Sequence, residues 1–197
     1  MLALARARSS VEGSVGRVPV WAVIGIVVGV LVTAAALAAA GFFGWHAYRR
    51  RQLLRLVVKA EAVDALVAAL VDTITRLSEA SDEDLERFAS DQESSERRAL
   101  HEIAFRGGLL AEELDRMPLP PSLEPPATAL ADTAFLVGSE ASKVTDEQVG
   151  SAALESLAAV DLASIQGYQR KGRAVLGTTC DVCGLDDTAV YGGGLYL

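Results

Sequence analysis

From Val18 to Trp45 the chain carries 28 consecutive residues without a charged side chain, and Thr33 is the one polar interruption. A helix of that length rises about 42 Å, more than the roughly 30 Å of a bilayer's hydrocarbon core. Trp21 and Trp45 stand near its two ends, about 36 Å apart along such a helix, where interfacial aromatic side chains settle. Arg49, Arg50 and Arg51 follow shortly after. The segment therefore predicts a single transmembrane helix, placed at 18–48 behind a short polar tail at 1–17. Ala38-Ala39-Ala40 resembles a signal-peptidase site, but the apolar run far exceeds an h-region of about 7–15 residues. A retained anchor is the reading.

The span has a face of small residues. Gly25, Gly29 and Thr33 recur every four positions, a spacing that lets two membrane helices approach closely and exchange hydrogen bonds. Self-association through this face, or through the helical stalk beyond it, is expected.

Charge divides the chain. Residues 1–59 sum to +7 and the remainder to −15, giving the overall −8. An acidic C-terminal part excludes nucleic acid as its partner, because phosphate binding requires a basic face. The basic excess instead lies beside the bilayer, where Arg49, Arg50, Arg51, Arg55 and Lys59 suit anionic headgroups. Five basic residues after the span against Arg6, Arg8 and Arg17 before it place the C-terminal part in the cytoplasm. Fifteen Arg against three Lys, with abundant Ala, suggest a bacterial genome, and hence a bacterial cell membrane.

Beyond the membrane the pattern is helical throughout. Leu53, Leu56, Ala60, Val63, Val67, Leu70, Ile74 and Leu77 alternate by three and four, a heptad-like period that continues the span to about residue 79. Leu54, Val57, Val58, Leu66 and Val71 widen that face towards a bundle. Ser81 with Asp82-Glu83-Asp84 caps a second helix over 82–117, whose polar middle, Ser90 to Arg98, reads as a solvated face and whose Gly107-Gly108 reads as a kink. The eight acids between Glu79 and Glu96 carry no cation-loop spacing. Prolines at Pro118–Pro126 enforce a turn, and Pro125-Pro126 opens a third helix over 126–144 with Leu130, Ala134, Val137, Ala141 and Val144 inward. Thr145 with Gln148 resembles a capping box for a fourth helix over 146–176, which Gly177 would stop. The fold class is all-α: one span, then a four-helix bundle-like or extended coiled-coil domain over 49–177, then a flexible Gly-rich tail over 178–197.

One constellation carries chemical potential. Cys180-Asp181-Val182-Cys183-Gly184 is a C-x-x-C pair able to hold two thiolates on one metal. A tetrahedral zinc site needs about four ligands, and neither His46 nor His101 has the spacing, so zinc here requires a second chain. A redox role would need lowered thiol pKa values, which Asp181, Asp186 and Asp187 oppose. In the tail, Leu195, Tyr196 and Leu197 after three glycines resemble a short peptide ligand.

No catalytic constellation accompanies these features, and an enzyme is not the expectation. The sequence points to a membrane-anchored, non-enzymatic interaction, scaffold or assembly component that forms homo-oligomers or holds a protein partner, with no cofactor. The alternatives are a transmembrane signalling or sensor subunit, and a thiol redox or metal-binding protein.

Overall fold

The computed structural model describes residues 20–146 and 150–183. Of these, 89% are helical, and no strand occurs among the described residues. The N-terminal tail, Gln148 of the expected capping box, and the Leu195-Tyr196-Leu197 end all lie outside the described residues. Among the described residues six α-helices follow in order: α1 Val20–Ser78, α2 Asp82–Ser90, α3 Ser95–Asp115, α4 Glu124–Asp146, α5 Ser151–Ala158 and α6 Leu162–Val182. The chain divides into two compact units, Met1–His46 and Ala47–Leu197.

Within the first unit, α1 is long and apolar enough to cross a membrane, and none of its most apolar window is buried. Ile24, Leu31, Leu37 and Phe42 all stand exposed.

In the second unit the heptad positions of α1 turn inward. Leu53, Leu56, Val63, Val67, Leu70 and Leu77 are buried in one core with Leu100, Ile103, Leu110 and Leu114 of α3, Leu130, Val137 and Val144 of α4, and Ile165 and Leu176 of α6. Each such side chain contributes roughly 1.5–3 kcal/mol of transfer free energy. The inner face is narrower than its composition suggests: Leu54 and Val58 are exposed.

α3 and α4 run antiparallel and approach most closely where Gly107 meets Gly138. A Cβ on Gly107 would stand 2.7 Å from the Gly138 Cα and 2.9 Å from the Ala134 carbonyl oxygen. Gly107 is therefore a point of backbone contact rather than a kink, and α3 stays helical through it. α4 also packs on α6 and α5.

The helix expected over 82–117 is two helices. Asp91 leaves helical geometry (φ −106°, ψ 109°) and its carboxylate accepts from the Glu93 N–H at 2.8 Å, a local bond that competes with helix continuation. The polar middle is not wholly solvated either. Arg97 is only 4% exposed; its Nε donates to the Phe88 carbonyl at 2.9 Å, and its guanidinium lies 5.2 Å from the Phe88 ring centroid.

The expected fourth helix, 146–176, also divides. Gly150 takes φ 109°, a region open to glycine because it lacks Cβ, and its N–H donates to the Ala89 carbonyl at 2.9 Å. α5 ends at Ala158, and Asp161 caps α6 by accepting from the Ser164 N–H at 2.9 Å and the Ser164 hydroxyl at 2.6 Å. Thr145 belongs to the last turn of α4, where its hydroxyl donates to the Ser142 carbonyl at 3.0 Å. Gly177 does not stop α6: Leu176 and Cys180 are buried on either side of it, and the helix holds to Val182. Residues 178–182 are thus helical rather than a tail, with Cys183 as the C-cap.

Candidate functional site

A groove of about 530 Å³ runs between α1 and α3 in the second unit. Ala62, Ala65 and Ala69 form its floor on α1, and Ile103, Leu109 and Leu110 form the facing wall on α3. Alanine at three- and four-residue spacing lays short side chains along one helix face, so the groove stays open where larger residues would fill it. Charged residues line the rim, and each has a partner in the fold. Arg76 pairs with Asp72 at 3.1 Å, Arg106 with Glu102, and Glu113 with Lys59 of α1. Apolar surface is thus left open to water between paired charges.

A polar clasp joins α1 to α6. Arg173 holds both carboxylate oxygens of Asp64 from its Nε at 3.1 Å, with a further contact at 2.9 Å from its terminal nitrogen. Gln169 donates to Asp64 Oδ1 at 2.7 Å. The Asp64 side chain is 18% exposed, so three donors compensate a largely desolvated carboxylate. Sequence reasoning does not single out this clasp, the Arg97 contact or the glycine crossing. One signal is present: Asp64 is an acid set directly beside Val63 on an otherwise apolar face.

The basic residues that follow the apolar run differ in their surroundings. Arg50, Arg51 and Arg55 are exposed. Arg49 is half-buried, with its Nε turned inside and lacking a hydrogen-bond partner, and Lys59 is engaged with Glu113. Trp21 and Trp45 are exposed on α1. Gly25 and Gly29 have open space around them, while the Thr33 hydroxyl donates to the Gly29 carbonyl at 2.8 Å within the same helix.

Cys180 and Cys183 form no disulfide and lie one turn apart at the end of α6. Cys180 is fully buried and Cys183 half-buried, so a metal shared between chains would require the last turn of α6 to open. Among the described residues no three His, Cys, Asp or Glu side chains converge as metal ligands. His46 packs its ring 4.4 Å from that of Phe42, and His101 is exposed on α3.

No family model matches the chain, nor does any curated protein or solved structure.

Proposed function

We propose that this chain is a single-pass protein of a bacterial cell membrane, and that it acts as a non-enzymatic assembly component whose helical unit stands in the cytoplasm. The second unit is an antiparallel four-helix bundle of α3, α4, α6 and the latter part of α1, with α2 and α5 as side helices. Its partner is a second copy of itself. The groove between α1 and α3 carries this reading, because it offers an apolar floor whose rim charges are already paired. An apolar helix surface suits such a floor, and Leu54 with Val58, one turn apart on α1 and both exposed, provide one on every copy. Anchoring confines copies to one plane and one orientation, which raises their effective concentration and lets a modest interface suffice. The open small-residue face at Gly25, Gly29 and Thr33 would add contact within the bilayer, while Arg50, Arg51 and Arg55 hold anionic headgroups.

Energy transfer between labelled copies of the full chain in vesicles tests this. Transfer in the wild type should fall for Gly25→Ile/Gly29→Ile if the span contributes, and for Ala65→Arg/Ala69→Arg if the groove does. A monomeric wild type, or wild-type transfer in both variants, would overturn the reading.

A second reading, as a transmembrane signalling subunit, is favoured by one observation: α1 is unbroken from Val20 to Ser78. A thiol or zinc function at Cys180 and Cys183 is the weaker alternative, since burial of Cys180 withholds one of its two sulfurs.

A further inference from the structure

We infer that the loop after α3, Met117–Pro121, is a second membrane contact that rests on the bilayer interface. This inference depends on the proposal that the apolar run spans the bilayer. The stretch from Met117 to Leu123 contains no charged residue, and Ser122 is its one polar side chain. Pro118 and Pro121 are exposed, and Met117 and Leu119 are half-buried. A connecting loop facing only water is commonly polar; this one presents apolar atoms.

Its position follows from one contact. The Tyr48 hydroxyl lies 3.4 Å from the Pro118 carbonyl oxygen. Tyr48 is three residues from Trp45, where the apolar run ends, so at most about 11 Å of chain separates them at any angle of the helix. The headgroup layer on each side of a bilayer is roughly 5–8 Å deep. The loop is thereby tethered to the end of the apolar run by three residues of chain and one tyrosine side chain. The side chains nearest in sequence that oppose an anionic surface are Asp115 and Glu124; Arg116 is held by Glu112 at 3.0 Å. The contact is therefore with the apolar and glycerol level of the interface rather than with anionic charge. It fits Met117 and Pro118 as shallow wedges, while Leu119 behind them packs against the core.

The chain contains two methionines, Met1 and Met117, which permits a conservative probe. Full-length protein carrying a diazirine analogue of methionine would be placed in phosphatidylcholine nanodiscs, irradiated, and mapped for phospholipid adducts. Two further samples carry the probe at a span position, through Val32→Met, and just before the far end of α3, through Gln92→Met. Adducts at Met117 and position 32 with none at position 92 are expected. Labelling at position 32 with Met117 no higher than position 92 would overturn the loop contact alone. Absence of adducts at position 32 would instead overturn the membrane anchor on which it rests.

Discussion

Gly107 and Gly138 meet with their backbones in contact, and a Cβ added to either one would fall within 3.1 Å of main-chain atoms of the opposite helix. Main chain cannot swing aside as a side-chain tip can. Gly107→Ala should therefore cost about 1–3 kcal/mol as overpacking, and Gly138→Ala should also destabilise. Gly108, one position along, has open space around it, so Gly108→Ala should stabilise α3 by about 0.5–1 kcal/mol. Chemical unfolding of the detergent-solubilised chain measures both, and equal effects at Gly107 and Gly108 would contradict the close crossing.

The clasp at Asp64 makes a second prediction. Asp64→Ala leaves Arg173 and Gln169 without their shared acceptor, and a loss of about 1.5–3 kcal/mol is expected for charged hydrogen bonds of this kind. Arg173→Lys should recover only part of the interaction, since an ammonium cannot hold two carboxylate oxygens in the planar fork that Arg uses. A double-mutant cycle between Asp64→Ala and Arg173→Ala should return a coupling energy above about 0.5 kcal/mol, as contacting residues in one network do.

Arg97 fastens α2 to α3 through the Phe88 carbonyl and ring. Its loss should act locally, because α2 has two buried residues, Phe88 and Ala89, to hold it. For Arg97→Ala, hydrogen exchange across Asp82–Ser90 should accelerate well before exchange in α4 changes. Uniform acceleration throughout the second unit would show that Arg97 supports the whole core instead.

Asp161 supplies a pH dependence. The Ser164 hydroxyl, and then the Ser164 N–H, bond its carboxylate and hold its pKa below the ordinary aspartate range. A group whose pKa is lowered on folding stabilises the fold above its unfolded pKa, and that contribution is lost as pH falls through the folded value. Carboxyl NMR should find the Asp161 midpoint below that of an unfolded aspartate, and Ser164→Ala should raise it. A midpoint unchanged by Ser164→Ala would remove the hydroxyl as its cause.

What can be read in the sequence is what periodicity encodes. The inward residues of α1 and α4 follow a three-and-four spacing, since burial of one helix face imposes that period and little else does. The start of α2 is legible, since Ser81 caps it ahead of an acidic first turn; the breaks at Asp91 and Asp161 are not, because these act through local side-chain bonds that many alternative acids nearby could equally make. Gly107 can be seen as unusual but not interpreted: its meaning lies in Gly138, which is brought opposite it by the turn at Pro118–Pro126. Cys180 and Cys183 stand out as a motif, yet the packing of Leu176 and Cys180 decides that they belong to a helix. The groove is likewise invisible, since three alanines become a floor only when α3 supplies the wall.

The clasp also has a consequence in time. Asp64 and Arg173 are 109 residues apart, an interval that takes a ribosome roughly 5–22 s to translate. During that interval the apolar run has already been made, and α1 presents its inward face, Leu53 to Leu77, with no α6 to cover it. The α3–α4 pair, local in sequence and joined by the Gly107–Gly138 crossing, can form in the meantime and shield part of that face. A protein of this design thus leaves a half-buried carboxylate waiting on one late arginine, and an apolar helix face waiting on the helix that carries it, so the last element made closes both.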